Sequence, residues 1–327
     1  MRIITQSTVG GPEVLHVAQA PVPEPRPGEV LIKIEAIGLN PVDAAVRSGA
    51  FPLLGDPPFV LGWDVAGTVE AAAVPVGESA QASPFQVGDQ VFGLVRFPAA
   101  GNTYAEYVNA VTGELAPIPE QIDPVHAAAL PLAGLTAWQA LVDAARVSSG
   151  QRVLVHGAGG GVGHLAVQIA VALGAEVVAT ASAAKAGPVK QMGASTVIDY
   201  RSGDLAGLLR EQAGRVNAVL DAVGGDAAEA SLEVLVPGGV LVTLTRGHDA
   251  ALRELVENSG RRFEAVSVRP SGNDLAELSA LVSAGTLHVQ VEQIFGFDDV
   301  VRAHQLLDAS SGRGTGRGIA GKLVLAP

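Results

Sequence analysis

The residues best suited to chemistry form one run, Val153-Leu-Val-His-Gly-Ala-Gly-Gly-Gly-Val-Gly-His-Leu-Ala-Val-Gln-Ile-Ala170. A β-branched stretch leads into a glycine cluster and then into an amphipathic repeat. Glycines at such a junction let the chain turn tightly and bring backbone N–H groups close to a pyrophosphate, which rests on the positive end of the following helix dipole. Glycine runs carry little weight alone in a chain with 40 glycines, but a strand before and a helix after them specify a dinucleotide site. The end of the next strand, Val177-Val-Ala-Thr-Ala-Ser-Ala-Ala-Lys185, selects the dinucleotide. An NAD-binding strand usually ends in an acid that accepts from the ribose 2′-hydroxyl. No acid lies between Glu176 and Asp199. Thr180, Ser182 and Lys185 instead offer hydroxyl donors and a positive charge, which suit a 2′-phosphate. NADPH is therefore the expected cofactor, although Lys185 alone also reads as a solvated lysine at a helix start.

Other chemistries are excluded by composition. The chain has no cysteine, which removes disulfides, thiolate nucleophiles, iron–sulfur clusters and cysteine-ligated zinc. Asp64 has no His or Cys neighbour in sequence and reads as a structural carboxylate rather than a zinc ligand. His156, at the end of a buried strand, reads as a satisfied core residue, and His164 as helix packing. Arg313, Arg317 and Lys322 form a basic strip that either reaches the 2′-phosphate or is a solvated loop. The net charge of −12 opposes a polyanionic partner such as nucleic acid. No apolar run spans a membrane, and Met1-Arg-Ile-Ile-Thr-Gln6 has no signal-peptide pattern, so a cytoplasmic, soluble protein is expected.

These residues need a scaffold. A chain of 327 residues exceeds the size of a single growing core, so two domains are expected. The first 120 residues read as β-rich and turn-punctuated, with strands at Val30–Ile37, Leu61–Glu70, Gln90–Val95 and Tyr104–Val108, and a short helix near Val42–Arg47. Ala71–Gln86 reads as a long loop. From Asp123 the texture becomes βαβ. Strands are expected at Arg152–His156, Glu176–Thr180, Thr196–Asp199, Ala218–Asp221, Gly239–Leu244 and Phe263–Val268. Helices are expected at Pro124–Ser148, Gly163–Leu173, Asp204–Gln212, Asp226–Leu235 and Asp274–Ala284. The tail adds strands at His288–Ile294 and Lys322–Leu325 around a helix at Asp298–Ala309. The fold class is thus α/β, with residues 1–120 and 286–327 as one split domain around a doubly wound nucleotide domain, 121–285, carrying a six-stranded parallel sheet. A ligand cleft between them is expected.

Several further motifs stand in order: Gly38-Leu-Asn-Pro-Val-Asp43, Leu61-Gly-Trp-Asp-Val-Ala-Gly-Thr-Val69, Val87-Gly-Asp-Gln-Val-Phe92, Tyr104-Ala-Glu-Tyr-Val108, Leu130-Pro-Leu-Ala-Gly-Leu-Thr-Ala-Trp138, Val197-Ile-Asp-Tyr200 and Gly321-Lys-Leu-Val-Leu325. With them, nearly the whole chain resembles the zinc-free, quinone oxidoreductase-like branch of the medium-chain dehydrogenases/reductases. The resemblance implies a GroES-like catalytic domain, a Rossmann domain, and a homodimer or homotetramer. Zinc-dependent relatives carry a Cys in the place of Asn40 and Gly-His-Glu in the place of Gly62-Trp63-Asp64, so no metal site is expected. Asn40 and Thr136 are expected near the nicotinamide, with Asp43 a catalytic candidate that also reads as a helix-start carboxylate. Cofactor contacts are expected from Asn40, Thr136, Ala158, Gly160, Gly161, Val162, Gly163, Thr180, Ser182, Lys185, Tyr200, Val223 and Leu244.

Phe51, Trp63, Leu94, Phe97 and Tyr104 would form an apolar pocket for a planar quinone or enone. Many relatives have Tyr in the place of Phe51, and Phe51 has no proton to give. That leaves solvent, or another acid such as Tyr104, as donor. The expected activity is NADPH-dependent, metal-free hydride transfer to a quinone or related activated carbonyl. The alternatives are reduction of an enone or enoyl thioester, and a weakly active or non-catalytic NADPH-binding protein.

Overall fold

The computed structural model describes residues 1–73, 83–245, 247, 249–311 and 318–327. Strands β1 (Arg2–Gln6) and β2 (His16–Gln19) open the chain, followed by β3 (Glu29–Leu39) and helix α1 (Pro41–Ser48). Then come β4 (Phe59–Val60), β5 (Asp64–Ala72), β6 (Gln90–Leu94), β7 (Tyr107–Val111) and β8 (Leu115–Pro117). Helices α2 (Pro124–Ala128) and α3 (Pro131–Trp138) lead to β9 (Arg152–His156), α4 (Gly161–Ala172), β10 (Glu176–Ala181), α5 (Ala183–Gln191) and β11 (Thr196–Asp199). The chain continues through α6 (Leu205–Gln212), β12 (Val216–Asp221), α7 (Asp226–Ala230), β13 (Leu235–Thr243), α8 (Ala250–Asn258) and β14 (Arg262–Ala265). It closes with α9 (Gly272–Ser283), β15 (Val291–Gly296), α10 (Val300–Ser311) and β16 (Lys322–Ala326).

Two compact units result: Met1–Leu135 with Arg269–Gly285 and Val289–Pro327, and Thr136–Val268 with Thr286–His288. In the first, β3 is central because its alternating Val30, Ile32 and Ile34 are all buried. It pairs with β5, β7 and β16 in a sheet ordered β15-β16-β3-β5-β6-β8. Thus β15 and β16 join the sheet that β3 opens, while β1, β2 and β4 form a separate three-stranded sheet. Helix α9, expected with the nucleotide domain, belongs instead to this unit: a side chain at Gly272 would meet the Leu115 carbonyl, 2.5 Å from its Cβ position. Its apolar residues, Leu275, Leu278 and Val282, satisfy the same period in either setting, so periodicity cannot assign the partner.

The second unit holds six parallel strands in the order β11-β10-β9-β12-β13-β14, which in chain order is 3-2-1-4-5-6. The direction of winding reverses between β9 and β12, the switch point at which open α/β sheets bind ligands. Val153, Leu154 and Val155 of β9 are fully buried, because helices cover both faces of a parallel sheet. Leu154, Val178, Ile198, Val219 and Leu241 continue this core with Leu209, Leu252 and Phe263. Each such side chain contributes roughly 1.5–3 kcal/mol of burial.

Three expectations differ from the structure. The helix expected at Pro124–Ser148 breaks before Pro131, which lacks an N–H for the ladder, and the chain after α3 widens into a turn where Ala145 N–H reaches the Ala140 carbonyl at 2.9 Å. Helix α5 forms despite Gly187 and Pro188. The expected loop at Ala71–Gln86 begins inside β5, and its residues 74–82 lie outside the described ones.

Candidate functional site

In the second unit most of the residues expected to contact the cofactor lie at or just after strand ends. Because all six strands are parallel, the residues following β9, β10, β11, β12 and β13 share one edge of the sheet. That edge gathers Ala158, Gly160, Gly161, Val162 and Gly163 after β9, Thr180, Ser182 and Lys185 around the end of β10, Tyr200 after β11, Val223 after β12 and Leu244 after β13.

The glycine loop is tight for steric reasons. Gly157 has φ +70°, which only glycine adopts without strain. A Cβ on Gly163 would lie 2.2 Å from the Gly157 carbonyl oxygen, so the loop folds back onto the first turn of α4. No side chain caps α4, whose N-cap is Gly160 and whose first turn carries no acid. An uncapped helix start keeps orphan N–H groups and a positive dipole end available to an anion. Lys185 Nζ donates to the Gly159 carbonyl at 3.0 Å, which puts a cation beside the same loop. Ser182 is the N-cap of α5 and makes no side-chain capping bond. The loop, the bare helix start and the acid-free end of β10 therefore fit a dinucleotide with a 2′-phosphate.

Two expected residues are buried. Thr180 is 2% exposed. Its Oγ1 lies 3.0 Å from His156 Nδ1 and accepts from Gly157 N–H at 3.3 Å, so it supports the loop from beneath instead of reaching a 2′-phosphate. Thr136 is 7% exposed in α3. Val223 and Tyr200 are well exposed, and Val223 N–H is held at 3.1 Å by Asp221 Oδ1, which also accepts from Gly224 N–H at 2.8 Å.

The first unit contains a buried polar cluster that sequence reading had split into separate residues. Asn40 Nδ2 donates to Asp64 Oδ2 at 2.9 Å and reaches the Gly38 carbonyl at 3.4 Å. Its Oδ1 accepts from Lys322 Nζ, and Lys322 also pairs with Asp64 at 3.5 Å. Asp64 Oδ1 accepts from Leu132 N–H at 2.8 Å. Burial raises the Asp64 pKa and lowers that of Lys322, and each charge partly offsets the shift of the other. Asp43 Oδ2 accepts from Asn40 N–H at 2.7 Å at the start of α1. Burial pushes Asp43 up to about 7.

Beside it, Arg47 Nη1 meets His304 Nδ1 at 2.9 Å, and His304 Nε2 meets the Tyr104 hydroxyl at 3.0 Å. Arginine only donates, so His304 accepts at Nδ1 and donates its Nε2 proton to Tyr104. Burial, then the Arg47 charge, holds His304 down to about 3 and keeps it neutral. The Tyr104 proton is left to steady the Asp43 carboxylate, although Asp43 Oδ1 has no partner of normal hydrogen-bond geometry.

This geometry corrects several expectations. Trp63, Leu94 and Tyr104 have no exposed surface and form core, not pocket wall. Trp63 is fixed by its Nε1 bond to the Ala99 carbonyl at 2.7 Å and an edge-on Phe97 ring. Burial raises the Tyr104 pKa well above its usual value, which disfavours it as an acid. Of the five, Phe51 alone is exposed, at 48%, and Phe97 is half-buried. Asn40 is 1% exposed with its amide protons already taken, so it has no free donor for the nicotinamide it is expected to lie near. Asp43 is likewise buried and serves the helix start. Lys322 is 4% exposed and belongs to the Asp64 pair, not to a solvated strip; Arg313 and Arg317 lie outside the described residues. The signal for Lys322 was present in Gly321-Lys-Leu-Val-Leu325, an apolar strand in which one lysine must be compensated. Among the described residues no three His, Asp or Glu side chains cluster as metal ligands, and no helix is long and apolar enough to cross a membrane.

Comparison with known proteins agrees with this layout. Residues 26–120 match the alcohol dehydrogenase GroES-like domain, and residues 192–324 match the zinc-binding dehydrogenase family. The quinone oxidoreductase of Sus scrofa is 32% identical over 326 residues, covering 97% of this chain and 94% of that protein. The Escherichia coli quinone oxidoreductase complexed with NADPH superposes with a TM-score of 0.86 at 30% identity, covering 100% of both chains. A 2-haloacrylate reductase from a Burkholderia species is 32% identical over 339 residues, covering 97% of this chain and 96% of that protein. The chain belongs to the zinc-free quinone oxidoreductase-like branch of the medium-chain dehydrogenases/reductases. Asn40 and Asp64, which the resemblance sets in the place of metal-ligating positions of zinc-dependent relatives, are here bonded to each other and to the buried Lys322 ammonium. A divalent cation there would have to displace the buried Lys322 ammonium, so these residues do not form a zinc site.

Proposed function

We propose that this chain is an NADPH-dependent, metal-independent oxidoreductase that passes hydride to a quinone or related activated carbonyl. The observation that carries the reading is the bare start of α4 behind the glycine loop, flanked by Lys185 and by a β10 end without an acid. The N–H groups of Gly161, Val162 and Gly163 would take the pyrophosphate, and Lys185 with Ser182 the 2′-phosphate. NADPH supplies the hydride when bound. The chain's part is to bind and orient: the loop fixes the phosphates, and the buried Asn40–Asp64–Lys322 cluster fixes the start of α1. Phe51 holds no proton, so the proton that follows the hydride comes from solvent. The acceptor is a small molecule, and the same reading carries a cytoplasmic homodimer or homotetramer.

A second reading, reduction of an activated C=C bond, is favoured by the likeness to a 2-haloacrylate reductase. Initial rates of NADPH oxidation against matched quinones, enones and enoyl thioesters, with NADH alongside, separate the two. Quinone turnover with NADPH preferred supports the first reading. Turnover of enones with quinones inert replaces it by the second, and no turnover with any acceptor overturns both.

A further inference from the structure

At the edge of the sheet that carries the strand-end residues, four hydrogen bonds run head to tail through buried groups. Gly157 N–H donates to Thr180 Oγ1 at 3.3 Å; Thr180 Oγ1 lies 3.0 Å from His156 Nδ1; His156 Nε2 lies 2.7 Å from Ser231 Oγ; Ser231 Oγ donates to the Ala227 carbonyl at 2.7 Å. His156, Thr180 and Ser231 are at most 2% exposed. The ring tautomer follows from the far end. Were the single Ser231 proton turned toward His156, two oxygen lone pairs would face each other at 2.7 Å in a buried site, at the cost of an unmade bond. Ser231 therefore gives its proton to Ala227 and accepts from His156 Nε2–H. His156 Nδ1 is then an acceptor, and Thr180 spends its proton on it. Burial holds His156 down to about 4, so the neutral ring persists at ordinary pH.

The chain of bonds joins two loops. One end is Gly157, which opens the glycine loop; the other is Ala227 in α7, just after Val223-Gly224-Gly225. The loops also abut, since a Cβ on Gly157 would lie 2.8 Å from Val223 Cγ2. Their parent strands β9 and β12 are neighbours, with His156 and Asp221 in register, and Asp221 holds the second loop by its own two amide bonds.

We propose that His156, as the Nε2–H tautomer, is a positioning residue for the dinucleotide: through Thr180 and Ser231 it fixes the spacing between the glycine loop and the Val223 loop. This rests on the NADPH reading above. The variant Thr180→Val keeps shape but leaves both Gly157 N–H and His156 Nδ1 unpaired, and Thr180→Ser keeps the hydroxyl. Calorimetric titration with NADPH should show Thr180→Val weakened about ten-fold and Thr180→Ser within about two-fold of the parent, the scale set by one buried hydrogen bond. Adenosine 2′,5′-bisphosphate, which lacks the pyrophosphate bridge, should lose less than about three-fold in Thr180→Val, because one lost loop bond acts mainly on the bridge. Nitrogen-15 NMR of labelled histidines should show His156 as Nε2–H in the parent and as a tautomer mixture in Ser231→Ala.

If Thr180→Val does not fold, Ser231→Ala carries the binding test, with about three-fold weakening or more expected for freeing one tautomer. Unchanged NADPH affinity in the folded variant, or an Nδ1–H tautomer in the parent, overturns the proposal. A parent that does not bind NADPH at all overturns the cofactor reading and this proposal together. NADPH binding by the parent with no loss in the variants overturns this one alone.

Discussion

Replacing Asp43 by Asn should stabilise the protein at neutral pH. Asp43 is 0% exposed, takes one amide bond from Asn40 and leaves Oδ1 without a normal hydrogen bond, so burial raises its pKa from 3.8 to about 7. Between those values the folded chain keeps a proton that the unfolded chain has released. Folding stability from this group is therefore full below pH 3.8 and falls as pH rises to about 7. At 1.36 kcal/mol per unit the loss at pH 7.5 approaches about 4 kcal/mol. Asparagine does not ionise, and its Oδ1 can still accept from Asn40 N–H. It forgoes the interaction of a carboxylate with the helix dipole, worth roughly 0.3–1 kcal/mol. A net gain of about 3 kcal/mol at pH 7.5 follows, fading to nothing near pH 4.

The assay is urea unfolding at pH 4.5, 6.0 and 7.5, followed by Trp63 fluorescence in a Trp138→Phe background so that the first unit is read alone. Two curves that run parallel across pH would refute the reasoning. So would a parent that gains on the variant as pH rises.

Three further outcomes follow from geometry on other parts of the chain. Lys322→Met strands the Asp64 carboxylate and should cost about 3–5 kcal/mol, whereas Lys322→Met with Asp64→Leu should recover much of it; a double-mutant cycle by calorimetry tests this coupling. Gly163→Ala forces a methyl to within 2.2 Å of the Gly157 carbonyl oxygen and should weaken NADPH binding by at least about ten-fold, measured by fluorescence titration. Lys185→Ala should lower the NADPH-to-NADH ratio of kcat/KM by about ten-fold, with the NADH value itself little changed; equal losses with both cofactors would remove Lys185 from the 2′-phosphate.

Much of the nucleotide unit was legible because its signals are local. A buried strand, a glycine turn and an amphipathic helix sit within eighteen consecutive residues, and β9 and β11 fall at the expected bounds. Helix α5 was legible only at its start, where Lys185 reads as a helix-start lysine, because Gly187 and Pro188 argue against a helix beyond it, yet Pro188 removes only one ladder bond. The buried cluster was hidden for a different reason. Asn40, Asp64 and Lys322 are separated by 24 and 282 positions along most of its bonds, and no spacing rule links such residues. Sequence could name each as polar in an apolar setting, but only β16 pairing with β3 brings Lys322 to Asn40. The pocket wall failed for a related reason: Trp63, Leu94 and Tyr104 lie at or beside strand ends, and an apolar or aromatic residue there reads alike whether it meets a ligand or a core.

The pairing of β16 with β3 also has a consequence in time. A ribosome delivers β3, Asn40 and Asp64 long before Lys322, with the entire six-stranded sheet made in between. The nucleotide unit has all its strands and its glycine loop before the first unit has its closing strand. During that interval Asp64 lacks the Lys322 counter-charge and the edge of β3 that receives β16 lacks its partner, so the first unit completes this sheet only after the nucleotide unit has been made. Loss of β16 is therefore a lesion of a sheet whose other central strands were made before the nucleotide unit.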